Sequence, residues 1–157
     1  MKKLISILLM LLFAFPVLAE APGYTLNIPD GAACEESEGA VTFVYGTSRV
    51  VAVIIERVPD KQPRDAVIRM MAQFDPAAVI GEDVPLKEGF VGVYAVTKDK
   101  FGEGVDALTA MILSAEGDLL ILSGYDMSAS REHAQALLNA VLACVQADGD
   151  TILLTKE

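Results

Sequence analysis

The sequence predicts an α+β domain, a single antiparallel sheet covered by two helices in the order β-β-β-α-β-β-β-α. Three observations carry that prediction. Short, alternating, β-branched segments fall into two groups, within 24–58 and 90–123, and their connections are too short for crossover helices. One stretch between these groups and one after the second carry apolar residues at helical spacing. No repeat, linker or low-complexity tract divides the chain, and 157 residues correspond to one domain.

The chain opens with an address. Lys2 and Lys3 precede an apolar run from Leu4 to Leu18, broken by Pro16, and Val17-Leu18-Ala19 supplies small residues at its exit. This is the layout of a secretory signal peptide over 1–19, with cleavage after Ala19 and an exported domain over 20–157. The run falls short of the ~20 apolar residues of a membrane span, so stable membrane insertion is not expected after cleavage. The destination is the periplasm or the exterior.

The first strand is Tyr24-Thr25-Leu26-Asn27-Ile28, stopped by the turn residues Pro29-Asp30-Gly31. Residues 32–39, with Glu35, Glu36 and Glu38, read as an acidic loop. Val41 to Tyr45 alternates as a strand, and Gly46-Thr47-Ser48 turns the chain. Val50 to Ile55 is apolar on both faces, which predicts a central strand covered on each side. Pro63 and Asp65 suit the first turn of a helix, and Val67, Met70, Met71 and Phe74 form its apolar face before Asp75-Pro76 ends it. Residues 77–87 are open between a short strand at Val79-Ile80 and a packed loop. Segments 90–98, 105–114 and 119–123 form a meander. Ser128 is the candidate N-cap of the last helix, whose face is Ala134, Leu137, Leu138, Val141 and Val145, and Gly149 stops it. Residues 151–155 read as an edge strand or a tail.

Twelve basic residues stand against 22 acidic ones, a net charge of -10. Loss of Lys2 and Lys3 with the leader makes it -12. Such a surface cannot neutralise phosphates, so nucleic acid is excluded as a partner. Cys34 and Cys144 are the only cysteines. In an oxidising compartment an even count favours a bridge. It would close a loop of about 110 residues and contribute roughly 4–5 kcal/mol on the chain-entropy account. A catalytic dithiol would need the two close in sequence, commonly as Cys-x-x-Cys, and they are not.

Few residues carry candidate chemistry. His133 is the only histidine; as a general base it would need a nucleophile or an orienting carboxylate beside it, and no motif supplies either. One His and two distant Cys are too few for zinc. Gly102-Glu103-Gly104-Val105-Asp106-Ala107 matches a dinucleotide-binding pattern by letter, but a strand follows it where that site needs a helix N-terminus. Glu35, Glu36 and Glu38, and again Asp99, Glu103 and Asp106, gather carboxylates without the spacing of a calcium loop, and read as solvated charge. Esterase-elbow, phosphate-loop and zinc-protease motifs are absent. No cofactor is implied.

The order of elements resembles the PsbP-like fold family, which includes the extrinsic photosystem II protein PsbP, a Ran-binding nuclear import factor and DcrB-like proteins of the bacterial envelope. The resemblance starts with Tyr24-Thr25-Leu26-Asn27-Ile28-Pro29-Asp30-Gly31, like the family's aromatic-apolar entry strand closing in Pro-acidic-Gly. Hairpin 41–58, helix 63–75, meander 90–124 and helix 129–147 then follow the family's order. Ala32 stands where the family often has Trp. The resemblance implies a non-enzymatic accessory, assembly or binding module and transfers no catalytic residue. The expectation is an exported envelope module that binds a partner protein. The alternatives are a small-ligand or Ca²⁺-binding protein, and a hydrolase using His133.

Overall fold

The computed structural model describes residues 19–21, 23–37, 39–55, 62–99, 101–102 and 104–154. The signal-peptide reading of residues 1–18 lies outside them.

Short turns between extended segments build a seven-stranded antiparallel sheet. Its strands are β3 (Ala33–Ser37), β4 (Ala40–Tyr45), β5 (Ser48–Ile55), β6 (Val79–Asp83), β7 (Val91–Thr97), β8 (Ala107–Leu113) and β9 (Leu119–Asp126). Their spatial order is β3-β4-β5-β9-β8-β7-β6. Helix α1 (Pro63–Phe74) lies on one face and α2 (Arg131–Cys144) on the other.

The period of two divides the core. Leu108, Ala110, Ile112, Leu120 and Leu122 point to one side and meet Leu137, Leu138, Val141 and Leu142 of α2. Met111, Leu113, Leu119 and Ile121 point to the other and meet Ala66, Val67 and Met71 of α1. The doubly covered strands are therefore β8, buried at every position, and β9, buried at all but Tyr125. Segment 50–55 does lie inside the sheet, between β4 and β9, but the coverage expected on both its faces is corrected. In β5 the residues facing away from α2, Val51 and Val53, are only half-buried and Ile55 is exposed, because α1 packs on β7 and β8 instead.

On the α2 side of β9, helix and sheet approach closely at Gly124. A Cβ on Gly124 would lie 3.2 Å from the Ala134 carbonyl oxygen and 3.3 Å from Leu138 Cβ. On the opposite face a chain of buried hydroxyls crosses three strands. Thr97 Oγ1 donates to the Ala107 carbonyl, so Thr109 must donate to Thr97 and Ser123 to Thr109, at 3.2 and 2.9 Å.

The expectation of a single sheet is corrected. A second, four-stranded sheet has the order β1-β2-β10-β11, from β1 (Ala19–Ala21), β2 (Tyr24–Leu26), β10 (Val145–Ala147) and β11 (Asp150–Thr151). The entry strand thus pairs with the segment leaving α2, Val145 opposite Leu26, and not with the hairpin 41–55. The chain passes from the end of α2 directly into extended backbone, and Asp148-Gly149, both at positive φ, reverse it into β11. Tyr24, Leu26, Val145 and Ile152 then plug the α2-side core. The Tyr24 hydroxyl donates to the Asp118 carbonyl at 3.1 Å, which fixes the small sheet at the end where α2 finishes.

One local expectation changes, and two left open resolve as strands. The acidic segment 32–39 is largely strand: Ala33–Ser37 pairs along β4 and leaves Glu35 and Glu36 in water at the sheet edge. The open segment 77–87 contains β6, the opposite edge, paired with β7. The tail is held by a Leu86–Leu153 bridge and by Lys87 N–H donating to the Ile152 carbonyl.

Candidate functional site

The β4–β5 turn, the β9–α2 loop and the Pro29–Gly31 turn meet at the end of the sheet where α2 begins. Asp126, the last residue of β9, ties the first two together. It is 2% exposed, yet its carboxylate is fully engaged. Oδ2 accepts from Thr47 Oγ1 at 2.9 Å and Ser48 Oγ at 2.6 Å. Oδ1 accepts from the Ser128 N–H at 2.9 Å and from the Ser128 hydroxyl. Burial alone would raise its pKa, but these donors prevail and hold it well below the usual carboxylate range. Met127 N–H donates to the Thr47 carbonyl at 3.0 Å, a second link between the two loops.

The helix start differs by two residues from its expected place. Ser128 is committed to Asp126, and Ser130 is the N-cap: its Oγ accepts from the His133 N–H at 3.3 Å. His133 therefore sits in the first turn of α2 with its side chain 66% exposed and Nδ1 3.8 Å from Asp126 Oδ2. That is ion-pair range for a protonated ring and too long for a hydrogen bond. So the structure does bring His133 to a carboxylate and three hydroxyls, although they are scattered over positions 47, 48, 126 and 128. The protons of Thr47, Ser48 and Ser128 are directed at Asp126, not at the imidazole.

Beside His133 a recess of about 400 Å³ opens between α2 and the turns. Ala136, Leu137 and Ala140 of α2 give it an apolar wall. Pro29, Asp30, Tyr45 and Thr47 line the facing side. Tyr45, 57% exposed, has its ring over Gly31, where an added Cβ would meet the ring at 3.2 Å. Gly31 has φ +77°, so two constraints favour glycine there. Met127, 48% exposed, follows Asp126 directly. A second recess of about 340 Å³ lies at the other side of the α2 start, among Val96, Asp106, Leu108, Ala129 and Arg131.

The other expected positions lie apart. Cys34, opposite Phe43 in β3, is half-buried against the α2-side core. Cys144 ends α2, and its carbonyl accepts from Asn27 Nδ2 at 3.1 Å. Both thiols are unbonded. Burial pushes both up, helped by Glu36 and Glu35 at Cys34 and by Asp30 at Cys144. Ala19 is the first residue of β1. The 102–107 pattern leads from the β7–β8 loop into strand β8, as its sequence requires. Asp106 pairs with Lys98 at 2.6 Å, and Asp99 Oδ1 accepts from the Gly104 N–H. Glu38 and Glu103 are outside the described residues. Among the described residues no three His, Cys, Asp or Glu side chains gather to hold a metal ion, and no helix is long and apolar enough to cross a membrane.

Comparisons with known proteins bear on the fold. No family model matches the chain, and no curated protein matches it. Among solved structures it is similar to the solution structure of cyanobacterial PsbP (CyanoP) from Synechocystis sp. PCC 6803, with a TM-score of 0.50 and 14% sequence identity. That similarity covers 86% of this chain and 95% of the other. The chain thus has a PsbP-like fold, with two helices on a large antiparallel sheet.

Proposed function

We propose that the protein is an exported accessory module of the cell envelope that binds a partner protein without catalysis, through the recess beside His133. The observation that supports this is the disposition of protons around the recess. Nucleophilic catalysis needs a hydroxyl that hands its proton to a base. Here the hydroxyls of Thr47, Ser48 and Ser128 spend their protons on Asp126, whose work is to fasten two loops. What remains is a concave surface with an apolar wall and an exposed aromatic, the features of a binding site. The leader at 1–19 supports export, and the PsbP-like fold agrees with an accessory role.

The test is affinity capture from the envelope fraction with the tagged, exported protein and two variants. A specific partner should be lost with Tyr45→Ala and kept with Ile55→Ala, an exposed site at the opposite end of the sheet. Recovery of no specific partner, or equal recovery by both variants, counts against the reading.

A further inference from the structure

We propose that the recess beside His133 accepts an organic cation, an ammonium or guanidinium group carried on an apolar stem. The inference rests on reading that recess as the binding site and adds the chemistry of what enters it.

Four observations converge. First, among the described residues the lining includes the carboxylate of Asp30 and no Lys or Arg side chain, while Arg49 donates from outside it to the Gly46 and Ser48 carbonyls at 2.9 Å. Second, the Asp126 carboxylate lies buried immediately behind Thr47 and Ser48, which line the recess and donate to it. Those donors keep it charged, so a second negative charge acts on the recess through little intervening water. Third, Tyr45 brings an aromatic ring to the border, and a ring face attracts a cation. Fourth, Ala136, Leu137 and Ala140 offer an apolar wall with two small side chains, which suits an aliphatic stem. The whole-molecule charge of -10 steers cations toward the surface and anions away. His133 is the only lining residue that can become positive, and it defines the opposite hypothesis: an anion held by a protonated imidazole at the start of α2.

Titration of the ¹⁵N-labelled protein with n-pentylammonium, 1-pentanol and pentanoate separates these cases, since the three share a stem and differ in charge. The cation should shift the amides of Asp30, Thr47, Ala136 and Ala140. It should bind at least about fivefold more tightly than the alcohol, and pentanoate should shift none of them. Asp30→Asn should weaken the cation about two- to fivefold, and Tyr45→Leu should also weaken it; both variants should keep the wild-type spectrum elsewhere. Binding of pentanoate at these amides, equal binding of the alcohol, unchanged affinity in Asp30→Asn, or no shift at about 50 mM pentylammonium overturns the inference. The last result, alongside a partner that still depends on Tyr45, would remove the cation and leave the binding site standing.

Discussion

Replacing Asp126 by Asn probes the joint between the β4–β5 turn and the β9–α2 loop. The carboxylate takes four donors, two on each oxygen. An amide offers one oxygen and one NH₂. The backbone N–H of Ser128 cannot turn away, so the amide oxygen must face it. The NH₂ is then left to Thr47 and Ser48, whose hydroxyls can rotate to accept. Every contact loses its charge assistance; the Thr47 and Ser48 contacts survive with their direction reversed, and the Ser128 contacts keep theirs. A hydrogen bond to a charged group contributes about 1.5–3 kcal/mol and a neutral one about 0.5–1.5. With partial compensation by rotation, Asp126→Asn should cost about 2–3 kcal/mol. At roughly 3–5 °C per kcal/mol for a domain of this size, Tm should fall by about 6–15 °C at pH 7. The pH dependence has a definite sign. Because the folded pKa is depressed, the carboxylate's contribution is fully present above its unfolded value near ~3.9 and is lost as pH falls through the folded one. Wild type should therefore lose stability below about pH 5, and the gap to the variant should narrow toward pH 2. Urea melts at pH 7, 4 and 2 give the measurement. A variant within about 0.5 kcal/mol of wild type at pH 7, or a gap that stays constant into acid, would refute the role given to Asp126.

Three further outcomes are expected, the first from the structure and the other two from the sequence. Gly124→Ala should destabilise by about 1–3 kcal/mol in a chemical melt, since the new Cβ would press the Ala134 carbonyl and Leu138; a neutral result would mean that α2 does not pack this closely. Both thiols are unbonded in the structure, and it is the even cysteine count that predicts a Cys34–Cys144 bridge in the exported protein, read as a gain of about two daltons in intact mass on reduction. Labelling of both cysteines by a thiol reagent in the unreduced, unfolded protein would disprove it. N-terminal analysis of the exported form should begin at Glu20, leaving two of the three β1 residues to pair with β2; a retained Met1 would contradict the leader.

Much of the fold was legible because it is written in local periodicity. The helical spacing of 67–74 and 134–141 records which face each helix buries, the apolar runs at 91–97, 107–113 and 119–126 mark strands, and the short turns between them fix their direction. What stayed hidden depends on partners distant in sequence. Ala33–Ser37 has almost no strand propensity and becomes β3 through the ladder that β4 offers it. Tyr24–Leu26 looks like any entry strand, and only the placement of Val145 makes it part of a second sheet. The candidate site was hidden for the same reason. Asp126 follows Tyr125 as an ordinary strand end, and nothing near it in sequence announces Thr47 and Ser48, 79 and 78 positions away. The one local signal was the Asp-x-Ser at 126–128, a spacing at which a carboxylate can accept from the backbone two residues on. Ser128, with Glu132 four positions on, fits a helix cap by residue type, but Ser130 takes that place because Ser128 is held by Asp126.

The central claim is that this protein meets its partner at the His133 end. The most direct measurement is a photo-crosslinking amino acid placed singly at Tyr45, Met127 and Ile55, three exposed positions, in the exported protein in intact envelopes. The account predicts a common adduct from positions 45 and 127 and none from position 55. An adduct from position 55 alone, or equal adducts from all three, would contradict it.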